Sequence, residues 1–131
     1  AIALASESGL SLGSMPDLEK RITAGRAAIV KDLACIECHK FGGNGEVGNA
    51  PDLTGYASRE WLTAFLSNPA DKRFYGEKND RMPAFALHPN DPTANRISPQ
   101  ELSVLISWLR GEWYAPREGI SPPAADSNEP K

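Results

Sequence analysis

Long apolar runs are missing from this 131-residue chain, and no stretch approaches the ~20 residues that a membrane-spanning helix requires. The basic opening of a secretory signal is missing too. The chain starts AIALASESG, as expected of a mature form or of a piece of a longer protein. Cationic excess is absent, and the net charge of -3 argues against a nucleic-acid partner. There are no internal repeats. Cysteine, histidine and methionine occur only twice each, so any chemistry built on them must use nearly all of them. What is plentiful is proline, at 11 residues, while the apolar fraction is only 40%. Together they predict one small domain with a modest core and long loops.

The order of segments supports an all-α chain. Residues 1–16 are small, polar and without period, and read as a flexible leader. From Asp17 to Leu33, DLEKRITAGRAAIVKDL places Ile22, Ile29 and Leu33 roughly on one face, with Gly25 and Ala28 beside them. That pattern predicts an amphipathic helix with a small-residue notch. FGGNGEVGNAPDLTGY, residues 41–56, is a loop by composition. Ser58 then precedes REWLTAFLSN, where Trp61, Leu62, Phe65 and Leu66 fall at helical spacing until Pro69 stops the run. Residues 70–97 hold no sustained period, as functional loops often do not. In SPQELSVLISWLRG, Ser98 and Glu101 form a capping box and Pro99 lies in the first turn. Leu102, Leu105, Ile106 and Leu109 make the expected buried face, with Gly111 as the cap. The plan is a leader over 1–16, a working domain over 17–115 and a mobile Pro-rich tail over 116–131.

Both cysteines lie in Cys35-Ile36-Glu37-Cys38-His39, the spacing of covalent c-type haem attachment. At a helix end, Cys35 and Cys38 project from one side, within reach of the two vinyl groups. His39, four residues from Cys35, aims its imidazole at the iron from that side. Other uses of the motif fit less well. A thioredoxin-like pair belongs in an α/β pattern that this helical sequence lacks. Zinc needs four ligands, here only Cys35, Cys38, His39 and His88, with two of them adjacent. A disulfide across two residues is strained. For the second iron ligand, Met82 in RMPAF sits in the long irregular segment, downstream of the attachment site. Met15 lies in the leader, and His88 lies in what reads as an exposed turn, HPNDP.

The order Gly-containing helix, CIECH, PDLTG, WLTAFLSNP, RMPAF and final helix resembles the class I cytochromes c over about residues 20–113. The resemblance implies a fold of three main helices and long loops wrapped around one covalent haem. It implies that the first and last helices cross at a small-residue contact, with Gly25 and Ile29 on one side and Leu105, Trp108 and Leu109 on the other. It also implies that Pro51 supplies the carbonyl that accepts the ligand histidine's Nδ1–H, fixing its tautomer. Two departures stand out: Ala50 replaces the usual glycine before that proline, and the span from Gly25 to Cys35 is slightly long. RFYGEKNDRMPAF is further similar to the cytochrome c segments fused to, or working with, cytochrome b in bacterial cytochrome bc complexes. That likeness implies cytochrome b and Rieske subunits as partners, a downstream cytochrome or oxidase as acceptor, and a periplasmic or equivalent location.

Leu53, Leu62, Phe65, Leu66 and Phe85 are the expected pocket walls. Among Arg59, Trp61, Tyr75, Lys78 and Asn79, chiefly Tyr75 and Trp61 are the expected donors to the haem propionates. Iron held by His39 and Met82 has no open position, which points to a one-electron carrier rather than an enzyme. The alternative is a haem sensor or peroxidase-like enzyme with a releasable Met82. Lys72, Arg73, Lys78 and Arg81 are expected to rim a small docking patch.

Overall fold

The computed structural model describes residues 2–47 and 50–112. Among them are four α-helices and no strand: α1 (Ile2–Glu7), α2 (Leu18–Ala27), α3 (Arg59–Ser67) and α4 (Pro99–Leu109). None is long and apolar enough to cross a membrane. The limit at 115 and the tail over 116–131 lie outside the described residues.

The last two helices start and stop on local chemistry. At α3, the Ser58 side chain accepts from the Trp61 amide at 3.1 Å, and the buried Pro69 follows the last turn. At α4 the capping box is complete, with Glu101 accepting from the Ser98 amide at 2.7 Å and Ser98 Oγ accepting from the Glu101 amide at 3.2 Å. Gly111 follows with φ 69°, the left-handed cap that ends the helix. α3 and α4 pack through Leu66, Leu102 and Ile106, all buried. Leu109, expected on that face, is exposed.

The first helix departs from its expected course. α2 ends at Ala27, and the chain continues as a π turn over Ala28–Asp32, closed by the Leu33 amide on the Ala28 carbonyl at 2.9 Å. A π turn accommodates one residue more than an α turn, which absorbs the long span from Gly25 to Cys35. It also rotates the register. Ile29 is buried, whereas Leu33, expected on the same face, is 67% exposed.

The segment read as an irregular leader contains α1. Ala3 is buried and joins Ile29 and Phe41 in a core cluster with Leu4, Val30, Cys35, Ile36 and Leu53 around it. The notch at Gly25 receives this helix, because a Cβ at Gly25 would stand 2.9 Å from Ala3 Cβ. The expected crossing of Gly25 with the last helix is therefore corrected. α1 fills the notch, and Trp108, expected at the crossing, is 59% exposed. Six residues, IALASE, carry too little periodicity to announce a helix, yet Ala3 among them is small enough to enter a glycine notch.

Candidate haem site

The attachment motif is a separate turn rather than the end of α2. Ala34 adopts φ 52°, breaking the helical path, and Cys35–Glu37 forms a 3₁₀ turn. The His39 amide closes it on the Cys35 carbonyl at 2.9 Å. Cys35 and Cys38 are both free thiols, Cys38 exposed. The loop that follows lies directly on this turn at Gly45, where φ is 76°. A Cβ there would collide with the His39 carbonyl oxygen and stand 2.7 Å from that of Ile36. Only glycine allows so close an approach.

The His39 imidazole is anchored at one nitrogen. Nδ1 lies 2.7 Å from the Pro51 carbonyl oxygen, which can only accept, so Nδ1 carries a proton and Nε2 is the nitrogen left to bind a metal. Ala50 in place of glycine leaves this bond intact. A second rung, from the Leu53 amide to the Lys40 carbonyl at 2.8 Å, holds the two segments side by side.

Met82 is placed by α3. The Phe85 amide donates to the Leu66 carbonyl at 3.0 Å, and Asn79 Nδ2 donates to the Met82 carbonyl at 2.8 Å, fixing RMPAF against the end of the helix. Met82, Phe85 and Leu62 pack against the Leu66, Leu102 and Ile106 cluster. On another face of α3, Trp61 and Phe65 stack with centroids 4.9 Å apart, and Phe74 meets both edge-on. Trp61 Nε1 donates to the Asp52 carbonyl at 2.7 Å. α3 thus links the histidine side of the site, through Trp61 and Asp52, to the methionine side, through Leu62 and Leu66.

These residues fit a covalent haem. Two unpaired thiols stand three residues apart, beside an imidazole whose Nε2 is free to bind a metal and whose other nitrogen is tied down. Among the described residues no cluster of three or more His, Cys, Asp and Glu side chains offers a metal site of another kind. The cytochrome c family model matches residues 22–113.

The chain belongs to the cytochrome c family. This cytochrome carries one haem c, attached through Cys35 and Cys38, and is a haem-based electron carrier with the all-α cytochrome c fold. No curated protein and no solved structure matches it.

Several expected site residues have other work in the cytochrome. Trp61 was expected to offer its N–H to a propionate. The indole is buried and its one donor is spent on Asp52, so Trp61 contributes packing and an internal bond. Asn79 is engaged by the Met82 carbonyl. Arg59 is engaged by Ser107 and Glu112. Tyr75 is exposed at the edge of the aromatic group, 5.9 Å from the Phe65 ring. Leu53 belongs to the Ala3 cluster, near Cys35, and not to the Met82 cluster. His88 is exposed in its turn, its amide and carbonyl both bonded to the Asn95 side chain. Of the four basic docking residues, Arg73 turns inward to the Thr54 carbonyl at 2.8 Å, while Lys72, Lys78 and Arg81 remain exposed.

Sequence reasoning missed Asp52. It is buried and bonded on all sides, but its place in PDLTG reads only as a loop residue.

Proposed function

We propose that this cytochrome c domain passes single electrons from a quinol-oxidising complex of the cytochrome bc type to a downstream cytochrome or oxidase. It would do so on the outer side of an energy-conserving membrane, with His39 and Met82 as the two iron ligands. The observation that carries the reading is the 2.7 Å contact between His39 Nδ1 and the Pro51 carbonyl. It leaves Nε2 as the ligand nitrogen, and Met82 is pinned at the far end of α3 by the Phe85–Leu66 bond.

When bound, the haem supplies a ferric–ferrous couple that takes up one electron. The residues set its direction. His39 donates an electron-rich nitrogen because the Pro51 carbonyl draws on its proton. The Met82 thioether is the weaker donor, which favours the ferrous state over what a second imidazole would give. Apolar neighbours, Leu62, Leu66 and Phe85, exclude water and penalise the extra charge of the ferric state. Lys72 and Lys78 line one hollow with Tyr75 and Glu77, and the two lysines against one carboxylate leave a net positive rim that suits brief contact with an acidic partner surface.

A potentiometric titration tests the carrier reading. The expected result is a reversible one-electron transition with no carbon monoxide adduct in the ferrous protein. A ferrous protein that binds carbon monoxide readily at neutral pH contradicts it, because a sensor or peroxidase needs an open iron position. Electron transfer from a purified bc-type complex, falling as ionic strength rises and slower in Lys72→Glu, tests the partner.

A further inference from the structure

Asp52 is a buried charged residue, 8% exposed, and each of its polar groups is engaged. Its amide donates to the Arg73 carbonyl at 2.8 Å. Its carbonyl accepts from Trp61 Nε1 at 2.7 Å. Its Oδ1 accepts from the Thr54 amide at 2.8 Å, and Oδ2 stands 3.8 Å from Arg73 Nε. Arg73 is itself fixed, by the Thr54 carbonyl and by its place over the Phe74 ring.

The amide of Asp52 and the carbonyl of Pro51 are two ends of one planar peptide group. The first is bonded to Arg73, the second to His39 Nδ1. A chain of hydrogen bonds therefore runs from the imidazole, across one peptide, to the Arg73 carbonyl. Such bonds polarise one another, so the pull of Arg73 on the Asp52 N–H makes the Pro51 oxygen a better acceptor.

We propose that Asp52 and Trp61 are positioning residues for His39: Trp61 fixes the following peptide, Asp52–Leu53, and the Asp52 carboxylate fixes Thr54 and Arg73, so together they clamp residue 52 and thereby hold the adjoining Pro51–Asp52 plane whose carbonyl polarises the imidazole. The proposal rests on His39 being an iron ligand. Neither side chain belongs to the attachment motif, and the hydrogen bond of the imidazole goes to Pro51. Loosening the plane weakens the Nδ1–H bond, makes Nε2 less electron-rich and raises the reduction potential.

The test uses the full chain with haem attached. Histidine Nδ1–H exchange in the ¹⁵N-labelled ferrous protein is measured alongside the potential. Trp61→Phe keeps an aromatic ring in the stack and loses the donor together with the pyrrole ring, and Asp52→Ala loses both side-chain anchors. Each is expected to speed His39 Nδ1–H exchange by about tenfold, the loss of one ordinary hydrogen bond, and to raise the potential. Asp52→Asn retains an oxygen for the Thr54 amide and is expected to stay near the wild-type exchange rate. Ser98→Ala, which weakens the cap of α4 remote from this network, is expected to lower the unfolding temperature and move neither signal. Wild-type exchange and potential in Trp61→Phe overturn the proposal, even if Asp52→Ala does not accumulate. A wild-type protein whose His39 resonances show no haem ring-current shift removes His39 as the ligand, and the proposal with it.

Discussion

The Arg110 guanidinium donates to the carbonyl of Ser8, 102 residues earlier in the chain, at 2.7 Å. The same Nη1 meets the Ala57 carbonyl at 2.5 Å, and Nε pairs with Glu112 at 2.6 Å. The Arg110 side chain is only 6% exposed. One buried arginine after the end of α4 therefore ties together α1, the turn before α3, and its own helix end. Arg110→Ala takes this donor from the part-buried carbonyls of Ser8 and Ala57 and is expected to cost about 2–4 kcal/mol in chemical unfolding. Arg110→Lys should recover less than half, because a single ammonium cannot reproduce the planar fork. Full recovery by lysine would show that charge alone matters at this position.

The contact between α1 and Gly25 makes a second prediction. Gly25→Ala brings two methyl groups to 2.9 Å and should cost about 1–3 kcal/mol despite the better helix propensity of alanine. Adding Ala3→Gly removes the opposing methyl, so the double variant should be more stable than Gly25→Ala alone. A double-mutant cycle with no coupling between the two sites would place α1 elsewhere.

Acid should loosen the start of α4, but only below the ordinary glutamate range. The Ser98 amide, and after it the Ser98 hydroxyl, hold the Glu101 carboxyl below its ordinary value. The folded-state pKa is thus lower than the unfolded one. The bond contributes fully above the ordinary glutamate range and is lost as pH falls through the folded-state value. The unfolding temperature of wild type should therefore exceed that of Glu101→Ala most at neutral pH, and the gap should narrow in acid. Calorimetry across that range checks the sign; a gap that widens in acid would refute it.

The sequence made some features legible because short-range chemistry specifies them. The CIECH spacing, the Ser58 and Ser98 caps and the Gly111 stop each depend on residues within one or two turns. What it hid depends on distant partners. IALASE has no period of its own and becomes a helix against Gly25. The π turn at Ala28–Asp32 follows from fitting one extra residue between the packing of Ile29 and the attachment turn. Trp61 looked like a cofactor donor because an indole is chemically able to be one, but the Asp52 carbonyl claims it. Nothing local to PDLTG reveals that Asp52 is bonded to Trp61 and Arg73, both outside that motif.

The central claim is iron ligation by His39 and Met82, and the near-infrared spectrum of the oxidised protein at neutral pH tests it most directly. The wild type should show the weak charge-transfer band of sulfur–iron ligation. Met82→Ala should lose it and have a lower potential, since a water or nitrogen ligand favours the ferric state more than a thioether does. His88→Ala should keep both band and potential, as expected for an exposed turn residue bonded only through its backbone to Asn95. A band that survives in Met82→Ala, or disappears in His88→Ala, would contradict the account.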